Sequence, residues 1–243
     1  MATTATLVPT AAPRRLYVGL ALLAIAVAAV GFWPTYFGQL LAGTVDKPVF
    51  IHFHAAIYVG WLALFLTQAT LAATGRVAAH MKLGRIAIGY GVLVIIAGLV
   101  AGFGMFALRV RAGSIGEAQG RLLGPLVDMS VFTPFFVAAI YNRRKPELHK
   151  RLMIVATTYL LIAAVVRMPF LGEPRNLFVV HLIWVTPLLL AMAHDFARRR
   201  RVHPIYVFGL VLFLASGPAA RGVARSTETW GTISGWLVPW VAS

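Results

Sequence analysis

Five residues with chemical potential stand in or beside otherwise apolar stretches: His52, His54, Asp128, Arg167 and His181. Ionisable groups are expensive inside a bilayer, so those found there are the first pointers to function. Neutral imidazole is the standard nitrogen ligand, and two histidines on different helices can grip a haem iron from both sides. His54 with His181 makes one such pair, towards the outer leaflet. His80 with His149 makes a second, towards the inner leaflet. A non-haem centre draws instead on His52, His54, His181 and Asp128 around zinc, iron or copper, since three protein ligands plus water leave a position open for chemistry.

The same residues also have plainer uses. A carboxylate and a guanidinium on consecutive antiparallel helices neutralise each other, so Asp128 and Arg167 are expected to form an ion pair. His54 and His181 serve equally as interhelical hydrogen-bonding groups. His80, His149 and His203 lie among Lys and Arg in short turns, where polar residues sit at headgroup level.

Long apolar helices must position these groups. Sixty per cent of the 243 residues are hydrophobic and 12% charged, with mean hydropathy +0.82, far from the balance of a soluble domain. Stretches near 16–34, 54–74, 83–107, 124–142, 152–171, 177–195 and 204–221 are each long enough to cross a hydrocarbon core of about 30 Å. The fold class is therefore an all-α integral membrane protein, a seven-helix bundle forming one transmembrane domain over 1–243. The first stretch follows Arg14 and Arg15 like a signal peptide, but its apolar run is longer than one requires. On the second, His54, Tyr58, Trp61, Phe65 and Gln68 share a helical face. His52 lies roughly 200° away on an ideal helix, so both histidines serve one site only if the helix begins after His52.

Charge sets the expected orientation. The N-terminal tail and the loops after stretches two, four and six carry 14 of the 22 basic residues and two of the seven acidic ones. This excess marks the cytoplasmic side, which puts the N-terminus inside and the C-terminus outside. The basic balance is thus topological, suited also to anionic lipid headgroups, and no nucleic-acid partner is expected. With no cysteine, disulfides, thiolate metal sites and iron–sulfur clusters are excluded. A retinal protein needs a lysine in its last helix, and 204–221 has none.

A faint repeat runs through the middle of the chain. His54 with His80, Asp128 with His149, and His181 with His203 each set a polar residue near the outer end of a stretch before a basic turn that contains histidine. Their separations of 26, 21 and 22 residues are unequal, as similar helical hairpins would also give. Gly98-x-x-x-Gly102 and further glycines in the third stretch fit close helix packing or room for a flat cofactor. The tail from Gly222 holds Trp230, Trp236 and Trp240, an expected interfacial anchor or else a partner-binding helix.

His54, Gln68, Gly75-Arg76, His80, Gly84-Arg85, His149-Lys150-Arg151-Leu152-Met153 and Arg167 together resemble the signature of an uncharacterised bacterial multi-pass membrane family, with a His-x-x-x-Gly-Arg loop and a His-x-Arg-x-Met motif. The resemblance covers roughly residues 50–170 and implies a bacterial cytoplasmic membrane location without bringing an activity. A second likeness, to the transmembrane di-haem cytochromes b, implies histidines in an outer and an inner layer. The chain departs from that pattern at Asp128, where the fourth helix would need its outer histidine. Three readings follow: a membrane redox protein holding haem b or another metal, a non-haem metalloenzyme, and a cofactor-free transporter, assembly factor or accessory subunit. Lipid is the expected surrounding in all three, and a membrane protein partner or a second copy the expected company.

Overall fold

The computed structural model describes residues 12–172 and 174–242. Among these every regular element is helical, and seven helices are long and apolar enough to cross a membrane, as expected of a multi-pass protein in contact with lipid.

Helix α1 (Ala12–Phe32) continues through a π-helical turn (Trp33–Phe37) and a short turn (Gly38–Leu41). Then come α2 (Val49–Ala73), α3 (Val77–Arg111), α4 (Ile115–Tyr141) and α5 (Pro146–Leu160), the last extended by Ile162–Val165. Helix α6 (Leu177–Arg199) begins where Asn176 Oδ1 accepts hydrogen bonds from Phe178 N and Val179 N, the capping that its short polar side chain favours. The seventh crossing is α7 (Pro204–Ser216) followed by α8 (Pro218–Arg225), broken at Gly217-Pro218, where proline withholds a backbone donor. An amphipathic α9 (Glu228–Leu237) packs against α4, and a short α10 (Pro239–Ala242) against α3.

Several ends differ from the apolar runs. The expected connection 108–123 is nearly all helix, because α3 and α4 meet at a tight turn in which Gly113 takes φ +78°, a left-handed conformation that glycine enters freely. The fifth crossing stops at Val165 instead of 171, since Pro169 lacks the donor a continuing helix needs.

Burial is uneven. Helix α5 is the hub: Leu152, Ile154, Val155, Ala156 and Tyr159 are all sequestered, and two thirds (67%) of its spanning stretch is buried, against 6% for α2. Several glycines of α3 serve contact. A Cβ at Gly91 would lie 2.1 Å from the Phe136 ring, one at Gly98 2.6 Å from Tyr58 Oη, and one at Gly102 2.7 Å from Pro125. Those notches are filled by neighbouring helices, so the glycine stripe reads as packing and not as space for a flat cofactor.

Candidate functional site

At the end of the bundle rich in Lys and Arg, His80 in the first turn of α3 and His149 in the first turn of α5 bring their rings to 6.5 Å between centroids, nearly perpendicular. His80 Nδ1 donates to Gln68 O at 3.2 Å, and His149 Nδ1 donates to Ala139 O at 2.8 Å. A carbonyl only accepts, so each Nδ1 carries the proton, and in the neutral ring the lone pair sits on Nε2. Metal-ligating histidines are commonly oriented in this way. Gln68 lies beside the pair, its buried Oε1 without a partner and its Nε2 3.4 Å from the position of a Cβ on Gly84.

A charge cluster missed at the sequence level fixes this end. The Arg151 guanidinium, 1% exposed, forks onto Asp195 of α6 through Nε to Oδ2 at 2.9 Å and Nη2 to Oδ1 at 2.8 Å. Its Nη1 reaches Glu147 Oε2 at 2.9 Å, and Arg199 also bonds Glu147. The guanidinium stands 5.8 Å over the Tyr206 ring. Read from sequence, Arg151 and Asp195 were topological charges, because each falls near a helix end. Their signal was a base and an acid on neighbouring antiparallel helices at one depth. His194, also passed over, has both ring nitrogens buried without a partner.

At the opposite end the expected constellation separates. Helix α2 starts at Val49, ahead of both histidines, so their rings diverge. His52 Nδ1 pairs with Tyr36 Oη at 2.9 Å, whereas His54 Nδ1 donates to Ala97 O at 3.2 Å and its ring lies 4.2 Å from that of Tyr58, tilted by 34°. His181 donates from Nδ1 to Leu177 O at 2.6 Å, with its Nε2 against Gly217 and its ring 6.2 Å from Trp184. No hydrogen bond or ring contact joins His54 to His181. Among the described residues no three His, Asp or Glu side chains gather as a metal site, so the set His52, His54, His181 and Asp128 is not assembled.

The expected Asp128–Arg167 ion pair is also corrected. Asp128 pairs with Arg221, Nη2 to Oδ1 at 2.6 Å. Arg221 further donates to Tyr159 Oη at 3.1 Å and, through Nε, to Ser216 O at 2.7 Å, while Tyr159 Oη and Ser216 Oγ lie 2.6 Å apart. Arg167 falls beyond the last turn of the fifth crossing. It donates to Ala163 O and stands 5.2 Å over the Phe32 ring. Arg221 took its place because the chain's last crossing returns to this level. A lone base closing an apolar stretch was the signal for it.

Trp230 is buried and its Nε1 donates to Gln119 O at 3.0 Å, so it belongs to the α9–α4 contact. Trp236 and Trp240 remain exposed, 5.9 Å apart.

No family model, curated protein or solved structure matches this sequence.

Proposed function

We propose that this chain is a membrane redox protein that holds haem b, or another transition metal, between His80 and His149. The observation that carries the reading is the approach of two imidazoles from different crossings, each with Nδ1 tied to a main-chain carbonyl. Two metal–nitrogen bonds of about 2 Å, each with roughly 1 Å more to the ring centre, span about 6 Å, close to the observed separation. Two imidazoles could hold a haem iron, whereas a lone catalytic ion usually takes three protein ligands. A two-histidine site with no third His, Asp or Glu among the described residues therefore suits haem better. The likeness to di-haem cytochromes b supports the inner layer of that pattern alone.

The chain's own part is orientation. The carbonyls of Gln68 and Ala139 hold both Nε2 lone pairs available, and Arg151, two residues from His149, clamps α5 to α6 through Asp195. Arg151 is thus a positioning residue. The group, when bound, would supply one-electron transfer. We further propose that this end faces the cytoplasm of a bacterium, on the positive-inside argument; a cysteine at position 144 labelled from outside would reverse that orientation.

The test is an absorption spectrum with iron analysis of the detergent-solubilised protein. A Soret band is expected, lost in His80→Ala and in His149→Ala but retained in His54→Ala and His181→Ala. Stoichiometric metal without a Soret band selects the other-metal version. Neither signal would overturn the reading in favour of a cofactor-free transporter, assembly factor or accessory subunit.

A further inference from the structure

Helices α3 and α4 are joined by the turn at Gly113, so their hairpin is open at the Lys- and Arg-rich end. Gly91 has no side chain, and the Phe136 ring occupies the space that a Cβ there would take. Phe136 is thereby drawn into the helix contact and buried. It floors a groove of about 350 Å³, walled by Ile88 and Val92 on α3 and by Val137 and Ile140 on α4. That volume is at the small end for ligand sites, which run from about 300 to 1,000 Å³. Val92 and Val137 are exposed, so the groove opens outward from the bundle along two crossings.

The mouth of the groove has a different chemistry. Tyr141 and Arg143 complete its lining where α4 ends. Arg143 Nη1 donates to Ile140 O at 3.2 Å, which folds the guanidinium back over the groove with most of its donors unused. Arg85 lies one turn before Ile88 on α3, on the face that Ile88 and Val92 share. Both arginines are exposed, and neither forms an ion pair with a described residue. Glu147, the acid nearest Arg143 in sequence, is already shared by Lys150, Arg151 and Arg199. An apolar channel that ends in two unanswered guanidiniums matches a phospholipid with a negative headgroup. Guanidinium takes phosphate oxygens two at a time, and basic pockets between crossings hold such headgroups. A neutral lipid would fill the groove but leave the arginines without a counter-charge.

We propose that the α3–α4 groove is a binding site for one anionic phospholipid, with an acyl chain along Phe136 and the phosphate held by Arg85 and Arg143. The groove shares no residue with the His80–His149 pair, so the site stands whether or not that pair holds a cofactor.

The test uses the full chain in nanodiscs of phosphatidylcholine and phosphatidylglycerol in equal parts, with native mass spectrometry counting the lipids that stay bound on release. One phosphatidylglycerol retained in preference to phosphatidylcholine is expected. Replacing both Arg85→Gln and Arg143→Gln should weaken that preference by about twentyfold, about fivefold for each basic residue near an anionic headgroup. Val137→Trp puts an indole ring into the groove and should lose the lipid, whereas Val211→Trp on the exposed side of α7 should keep it. Arg201→Gln, an exposed arginine in the α6–α7 turn, should stay within about twofold of wild type. The proposal is overturned if the wild type shows no preference, if the double arginine variant or Val137→Trp retains the lipid like wild type, or if Arg201→Gln loses as much as the double variant. A wild-type mass of two chains that Val137→Trp reduces to one would also overturn it, by assigning the groove to a second copy. Should Val137→Trp fail to fold, Val92→Trp on the facing wall decides: retained lipid overturns the proposal and lost lipid supports it.

Discussion

The two ends of the bundle differ in how fully their charged groups are paired. At the Lys- and Arg-rich end, Arg151 meets Asp195 and Glu147, and two imidazoles approach each other across helices. At the other end one guanidinium, Arg221, is matched by Asp128, while Arg167 has no described carboxylate. A closed charge network lends rigidity, whereas an exposed cation without a described carboxylate is left to solvent. The first arrangement suits holding a group in place.

The sharpest way to break this contrast is to remove one acid at the closed end. Asp195→Ala leaves Arg151 buried without its forked partner and should destabilise the protein by about 3–5 kcal/mol. Arg167→Gln should shift stability by only about 1 kcal/mol or less, in either direction. Unfolding of both variants in one detergent measures the difference, and equal losses would erase the distinction. Replacing Arg151 and Asp195 together by apolar residues should recover most of the stability.

The pair at the other end offers an intermediate case. Asp128→Asn keeps the shape but removes the charge facing Arg221, with an expected loss of about 2 kcal/mol in the same assay. A loss as large as that of Asp195→Ala would make the two ends equivalent. Gly217→Ala should cost about 1–2 kcal/mol, because the new Cβ would lie 2.5 Å from His181 Nε2 and 2.8 Å from Phe213 O. Adding His181→Ala should relieve part of that loss, and no relief would mean that His181 is not what fills the notch.

The smallest effect is a pH dependence at the Lys- and Arg-rich end. His203 Nδ1 accepts from Ile205 N at 3.2 Å, capping α7 just before Pro204. Partial burial, then the positive field of Arg151, pushes its pKa below the ordinary 6.5. The unfolded chain therefore takes up the proton first. The cap's contribution is complete above pH 6.5 and is lost as pH falls through the lowered folded value. His203→Asn keeps an acceptor that does not titrate, so the wild type should lose about 0.5–1 kcal/mol more than the variant on acidification. Parallel profiles for the two proteins would remove His203 from the account.

The seven crossings were legible because each leaves an apolar run of nearly helix-spanning length. Their ends were not, where helices continue through polar residues, as α3 does to Arg111 and α4 from Ile115. The approach of His80 to His149 was expected from similar positions beside neighbouring turns. The divergence of His52 and His54 hinged on a helix start that no capping side chain announces, Pro48 being the residue before Val49. Partners were the least legible feature. Asp128 lies 93 residues from Arg221, and pairing across such a distance depends on how α8 returns to the bundle.

Helix α5 has a consequence for synthesis. The fifth crossing has the lowest mean hydropathy of the seven, 1.4 against 2.5 for the third, yet it is the most enclosed. During translation Arg151 emerges 44 residues ahead of Asp195, so for that interval a guanidinium bound for the bundle interior has only Glu147 to offset it. Spontaneous partition of this segment into lipid is therefore weak, and its lateral release from an insertion channel has to wait for α6. The fifth and sixth crossings are therefore expected to enter the membrane as a hairpin.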